Sequence, residues 1–230
     1  MAGSQHTRVD NKLEEIAASY DRNYVQANYF KYRTWMYRPF IKALVKRAKL
    51  KKNHRLLDAG CGQGFFTSLF ADCGLQTLGV DISVEGISQA KKIHGRGGVE
   101  FEVGDVYNLP YEGMFDCVYT RSCSLYNRSN FADDHSVSDA LLKYVKPGGV
   151  LIFDYYSNLC LRKKSESWIY HSVASVKRHF SHYPDAKIYF SLRVDALLLG
   201  DLSFSLSGLN IIASRVMGMG GDLIAIVPKR

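Results

Sequence analysis

The chain has 230 residues, 47% of them hydrophobic, which suits one globular domain with a sizeable core; its five cysteines, with no CxxC pair, suit neither a disulfide framework nor a zinc site. No run of about 18 residues is free of polar side chains, and the opening MAGSQHTRVDNK lacks the apolar centre of a secretion signal, so no transmembrane segment is expected and the expected location is cytoplasmic. The net charge of +8 is concentrated: Asn23 to Leu57 holds ten Lys or Arg and no acid, leaving the rest at −2, so this segment is either a footprint for an anionic partner such as RNA or phospholipid, or a solvated helix face. After a polar start, Leu13, Ile16 and Ala17 fit a short helix, and Phe40, Ile41, Leu44 and Val45 fit another with Pro39 in its first turn. From Arg55 short apolar strands alternate with helical stretches. RLLDAG reads as a strand, FFTSLFADCG as a helix ending at Gly74, QTLGVDI as a strand, and VEGISQAKKIHG as a helix capped by Ser83. VEFEVGDV follows as a strand and FDCVYTRS as a fully buried one, SVSDALLKYV as a helix stopped by KPGG, and VLIFDYYS as a fifth strand.

The last third reads as a helix at WIYHSVASVKRHF, a strand at AKIYFSLRV and a final strand at DLIAIVPKR. Between those two strands Ser203, Ser207, Asn210 and Ser214 recur at helical spacing opposite Leu202, Leu206, Leu209, Ala213, Val216 and Met217, which predicts an amphipathic helix. The strand and helix alternation implies parallel strands with right-handed crossovers, an α/β three-layer sandwich of the doubly wound kind.

In such sheets ligands bind beyond the carboxyl ends of the strands, where the strand order reverses, and the loop after the first strand lies there. Its glycines, Gly60, Gly62 and Gly64, permit tight turning and close approach of a ligand to the backbone. Phe65 stands where the dinucleotide pattern GxGxxG needs its last glycine, and no GK[ST] follows for a phosphate loop. Asp58, just before the loop, disfavours phosphates and favours a cation. Asp81, at the end of the second strand, stands where doubly wound nucleotide sites place an acid for the ribose hydroxyls. The ligand expected has a ribose, a positive end and no phosphate, and S-adenosylmethionine meets all three conditions.

The run Asp58-Ala-Gly60-Cys-Gly62-Gln-Gly64, with Asp81 after the second strand, GDVYNLPY after the third and FDCVYTRS as the fourth, resembles the class I S-adenosylmethionine-dependent methyltransferases. The likeness is close from about Arg55 to Ser157 and holds elsewhere in general plan. It implies a Rossmann-like, seven-stranded, mostly parallel sheet with an antiparallel last strand and an N-terminal helical cap. One domain is expected, with residues 1–52 as helical lid, 53–160 as cofactor-binding core, and 161–230 as the substrate side carrying a helical insertion at 201–218. The resemblance also implies that the loop, including Cys61, lies along the methionine part of the cofactor, that Asp81 binds ribose and that Ile82 packs on adenine. Asp105 would accept from the adenine amino group beside the Val106 backbone, the main chain at Thr120 and Arg121 would face the methionine ammonium, and Arg33 would pair with its carboxylate. The simplest members join the last two strands tightly; here the insertion departs from them.

Methyl transfer from a sulfonium needs alignment more than acid–base power, so catalytic residues are few. Tyr126 and His135, after the fourth strand, are the residues placed near the methyl, with His135 as a base or else a surface or cap histidine. The aromatic Phe30, with Trp35, Tyr156 and His171, makes up the substrate-side set, against the alternatives of an aromatic core stripe and helix-entry structure. NPPY and DPPY motifs and a Pro-Cys pair are missing, which weighs against two nucleic-acid methylating classes. The reading is therefore methylation of an oxygen or nitrogen on a small-molecule acceptor, giving S-adenosylhomocysteine, with no metal and with an oligomer possible. The alternatives are an RNA methyltransferase using the basic segment and a non-catalytic cofactor-binding scaffold docked on a partner or anionic membrane.

Overall fold

The computed structural model describes residues 3–25, 32–159 and 168–230, with side chains from residue 14 onward. Seven strands, β1 (Arg55–Ala59), β2 (Gln76–Asp81), β3 (Val99–Val103), β4 (Phe115–Arg121), β5 (Val145–Tyr156), β6 (Lys187–Ser191) and β7 (Asp222–Pro228), form one sheet in the order β3-β2-β1-β4-β5-β7-β6. Strands β1 to β5 pair in parallel, and β7 runs antiparallel to both neighbours, as the class I pattern implies. The order reverses between β1 and β4, so their carboxyl ends border the crevice where such sheets hold ligands. All seven residues of β4 are buried, which explains why its sequence shows no polar alternation.

The helices α2 (Thr34–Arg47), α3 (Phe65–Asp72) and α4 (Val84–His94) cover one face, packing Phe40, Leu44, Phe66, Phe70, Ile87 and Ala90 against the sheet. On the other face α5 (Ser136–Tyr144) and α6 (Val173–Phe180) close a second cluster around Phe131, Leu141, Phe153 and Phe180. The N-terminal α1 (Gly3–Val25) is one helix that also takes in the polar start, longer than the short helix expected around Leu13. It packs on α4: Asp21 accepts from the Ser83 hydroxyl at 2.5 Å and from the Glu85 N–H at 3.0 Å, reinforcing the Ser83 cap.

Three boundaries differ from the sequence reading. Helix α2 opens at Thr34, so Pro39 lies inside it and leaves the Trp35 carbonyl without its helical partner. Strand β5 opens at Val145, taking in KPGG, with a register shift against β4 where those residues would break a regular ladder. Helix α6 opens at Val173, where Ser172 and Ser175 form a reciprocal capping box, and the preceding WIYH is not helical.

The insertion is longer than expected and is built differently. After β6 come α7 (Asp195–Leu199), a 3-10 turn at Gly200–Leu206 and α8 (Ser207–Met217). Helix α8 is amphipathic, but its polar stripe faces the protein: Asn210 and Ser214 are buried, Asn210 donates to the Phe190 carbonyl of β6 and to Asp195, and Ser214 donates to the Met219 carbonyl. The apolar stripe of Leu209, Ile212, Val216 and Met217 faces out. By composition the run Asp195–Met217 is long and apolar enough to cross a membrane, with a mean hydropathy of 1.6 in its most apolar window and only 22% of that window buried. The expectation of no such segment rested on demanding a run free of polar residues, and the inward serines and Asn210 interrupt this one.

Candidate active site

The loop between β1 and α3 takes its shape from its glycines. Gly60, Gly62 and Gly64 all adopt positive φ, at 79°, 54° and 76°, the left-handed region that side chains resist. Packing adds a second reason: a Cβ on Gly62 would stand 2.6 Å from the Tyr24 hydroxyl of α1, and one on Gly64 would stand 2.5 Å from the Phe101 ring. The Val80 carbonyl accepts from the Gly60 and Cys61 N–H groups at 2.8 and 3.0 Å, tying the loop to the end of β2.

Two buried carboxylates underlie this loop. Asp81 accepts from the Gly62 N–H at 2.8 Å and the Ser83 N–H at 3.0 Å, so one side chain joins the glycine loop to the start of α4. Burial raises its pKa, against the pull of those two N–H donors. Asp58 accepts from the Thr67 hydroxyl at 2.6 Å, and burial pushes it up to about 7. Burial also raises the neighbouring Cys61 thiol far above its ordinary value, which keeps it un-ionised and fits a packing role.

Beyond the loop, the ends of β4 and β5 carry buried polar atoms with no hydrogen-bond partner among the described residues: Thr120 Oγ1, Tyr155 Oη and Ser157 Oγ, with Trp168 Nε1 beside them. The Trp168 and Tyr155 rings stack at 5.9 Å. Burial raises the Tyr155 pKa, with Cys123 and Tyr20 next to it in effect, and Cys123 Sγ stands 3.0 Å from where a Gly60 Cβ would be. These atoms therefore border the glycine loop, and buried polar atoms are rarely left unpaired without a ligand or water to meet them.

On the helical side Arg121 is buried between two acids, 2.5 Å from Asp154 and 3.1 Å from Asp222, and Arg193 reaches Asp222 at 2.7 Å. Tyr119 donates to Asp154 at 2.8 Å. The rings of Phe66, Tyr156 and Tyr37 surround the Arg121 guanidinium at 4.8, 5.1 and 5.4 Å. Burial pushes Asp154 up to about 6, only partly offset by Arg121, whereas Asp222 is held below its ordinary value because two arginines more than offset its burial.

A family model described as a methyltransferase domain matches residues 50–190. The chain belongs to this methyltransferase family. A demethylmenaquinone methyltransferase of Paenarthrobacter aurescens is 24% identical over 157 residues, 66% of this chain and 60% of that protein. Norajmaline N-methyltransferase of Rauvolfia serpentina is 31% identical over 123 residues, 51% of this chain and 41% of that protein. The chain thus spans about half the length of the curated relatives it matches. Among solved structures, Haemonchus contortus phosphoethanolamine N-methyltransferase 2 in complex with S-adenosyl-L-methionine has the same fold, with a TM-score of 0.60 at 17% identity over 92% of this chain and 60% of that one.

In this chain the loop glycines, Asp58, Cys61, Asp81 and Ile82 come together at one end of the sheet. Asp105 follows β3 but its carboxylate is engaged in a local turn, accepting from the Tyr107 N–H at 3.0 Å and the Asn108 side chain at 2.7 Å, while the carbonyl of Val106 takes the Tyr144 hydroxyl. Arg33 is exposed at the start of α2 and makes no capping bond. Trp35 is exposed, Tyr156 lies against Arg121, and Phe30 falls outside the described residues.

Tyr126 is buried away from the loop, while His135 is the N-cap residue of α5 and His171 precedes the Ser172 cap of α6, the cap and helix-entry alternatives to their site roles. The Tyr126 hydroxyl meets Ser138 at 3.0 Å, and Ser138 meets His179 Nε2 at 2.8 Å, a chain that fastens α5 to α6. His135 stacks on His182 at 4.2 Å at the same corner, and His171 is buried on the Phe131 ring at 3.8 Å with Nε2 2.8 Å from the Tyr126 carbonyl. The segment after β4 meets the glycine loop at Cys123 and then turns to α5 and α6, where the Tyr126 hydroxyl and the His171 ring are held. The basic segment is also partly consumed: Arg38 pairs with Asp72, Lys46 with Asp201, and Arg47 donates to the Asp201 carbonyl and to Ser205. The structure adds residues around this end of the sheet that sequence reasoning missed, chiefly Asp21, Tyr24, Asp154, Arg193 and Asp222. An acid inside the apolar runs LIFDYY and GGDLIAIV was the visible signal for the two buried aspartates.

Proposed function

We propose that the chain is an S-adenosylmethionine-dependent methyltransferase that transfers a methyl group to an oxygen or nitrogen of a small-molecule acceptor. The observation that carries this reading is the glycine loop held by buried Asp58 and Asp81 beside unpartnered polar atoms at the ends of β4 and β5. Carboxylates at that edge suit a ribose and a cationic end and oppose phosphates. Asp81 has lone pairs left for ribose hydroxyls after accepting from Gly62 and Ser83, and the left-handed glycines let a methionine chain approach the backbone. Asp105 and Ile82 flank the adenine side, and Tyr24 on α1 covers the loop.

The donor, when bound, supplies a methyl already activated on sulfonium. The chain's own task is to align the acceptor and exclude water, an effect worth up to about 7–11 kcal/mol. The buried Tyr155 hydroxyl has no partner among the described residues and burial raises its pKa, so it is suited to donate a hydrogen bond to an acceptor and not to serve as a base. That favours an amine that enters the site in its neutral form, its ammonium proton left to solvent, because the free lone pair then attacks the methyl without a base in the site. Norajmaline N-methyltransferase and phosphoethanolamine N-methyltransferase are named for such acceptors, whereas other relatives are named for malonyl-[acyl-carrier protein] and demethylmenaquinone.

The test is incubation with labelled S-adenosylmethionine and fractionated amines and alcohols, following S-adenosylhomocysteine and the labelled product. Asp81→Ala is expected to weaken donor binding by roughly tenfold or more, the loss of charge-assisted hydrogen bonds, while circular dichroism keeps the wild-type form. Unchanged affinity by calorimetry would remove Asp81 from the site.

A further inference from the structure

Helix α8 is inverted relative to a helix at a water-facing surface: it buries Asn210 and Ser214 and presents Leu209, Ile212, Val216 and Met217 to solvent, with Val216 80% exposed. The elements before it extend the same surface, since Leu197, Leu198, Leu199 and Leu202 are exposed and Leu198 is 89% so. Of the two acids of the run, Asp201 pairs with Lys46, and Asp195 accepts from the buried Asn210 on the inward side of α8. An apolar surface of this extent marks a contact with something apolar.

The neighbouring charge says what that is. Helix α2 packs directly on α7 and the 3-10 turn, with Lys46 and Arg47 fastened to Asp201 and Ser205. Lys42 lies one turn before Lys46 on the same stripe, Lys49, Lys51 and Lys52 are exposed just past the helix, and Arg215 stands among the apolar residues of α8. Apolar side chains rimmed by cations complement an anionic bilayer surface, where hydrocarbon takes the first and lipid headgroups take the second. A two-fold pairing of the same patch with a second copy would set lysines against lysines.

We propose that the α7–α8 face docks this protein in the plane of an anionic phospholipid membrane, with the α2 lysines on the headgroups. It lies flat and does not span: Gly200, at φ 54° and ψ −132°, breaks the helical run, and the inward polar stripe is bonded to β6 and its neighbours. The insertion leaves β6 at Ser191, whose partner is Asp222, so the docked face joins the sheet at the same carboxyl edge as the glycine loop.

The experiment is flotation of the full chain with vesicles of phosphatidylcholine alone or mixed with phosphatidylglycerol, at low and high salt, beside sedimentation velocity without lipid. Binding is expected on the anionic vesicles only and is expected to fall with salt. Leu198→Glu with Val216→Glu should abolish it at an unchanged melting temperature, and Lys42→Glu with Lys49→Glu should weaken it by roughly fivefold per residue. No flotation, or flotation indifferent to the glutamates, would overturn the proposal. A dimer that the glutamates dissolve, without vesicle binding, would assign the face to a second copy instead.

Discussion

Asp58 is the residue whose ionisation most directly couples this site to pH. Its carboxyl is buried with one hydroxyl donor and titrates at about 7 in the folded chain, above the ordinary value of 3.8. The folded state therefore holds its proton more tightly than the unfolded chain does between those limits. Stability from this group is fully present below the unfolded pKa and is lost as pH rises through 7. Its size is at most about 4 kcal/mol, at about 1.4 kcal/mol for each tenfold change in proton affinity. Urea midpoints measured from pH 4 to 8 should show this decline in the wild type and a flatter profile in Asp58→Asn. The glycine motif made Asp58 and Asp81 visible in the sequence, since an acid at each strand end has few structural reasons to recur in that order. The proton affinity was not visible, because it depends on Thr67 and on the depth of burial, which no spacing reports.

At the scale of elements, α1 and α4 form a clasp over the loop. One carboxylate, Asp21, serves both the Ser83 hydroxyl and the Glu85 N–H, while Gln89 donates to the Tyr24 carbonyl at 3.1 Å. Asp21→Ala removes the shared acceptor and is expected to cost about 1 kcal/mol and to speed hydrogen exchange in the second half of α1, with exchange in β1 and β4 unchanged. Most strands and the helix caps at Ser83 and Gly74 followed from local signals. The clasp did not, because Asp21 and Ser83 are 62 residues apart and neither is unusual where it stands. Helix α8 illustrates another boundary: its period identified two faces correctly, but a period is symmetric and does not say which face turns inward. The bonds from Asn210 and Ser214 decided that, and they are tertiary.

At the scale of the molecule, the two halves of the sheet meet at the Arg121, Asp154, Asp222 and Arg193 cluster, which links β4, β5 and β7 to the segment after β6. Replacing Asp222 by alanine leaves two buried guanidinium groups with one carboxylate. A loss of about 3–5 kcal/mol in unfolding free energy is expected, the cost of an uncompensated buried charge, measurable by urea denaturation. Replacing Asp222 by leucine together with Arg193 by methionine should cost less, because Arg121 keeps Asp154 and no second charge is stranded. The fold class followed from the alternation of strands and helices, but the cluster did not: an acid inside an apolar run signals burial without naming its partner, and these partners lie up to 101 residues apart.

The strand order β5-β7-β6 also bears on how the chain is made. The strand at Asp222–Pro228 leaves the ribosome after both of the strands it joins, so β5 waits with an open edge and β6 with no partner while the apolar run Asp195–Met217 is already synthesised. During synthesis Arg121 and Arg193 likewise lack the carboxylate that later neutralises them. The nascent protein therefore passes through a stage in which its stickiest helix and its least finished sheet edge are exposed together, closed only by the last strand of that sheet to emerge.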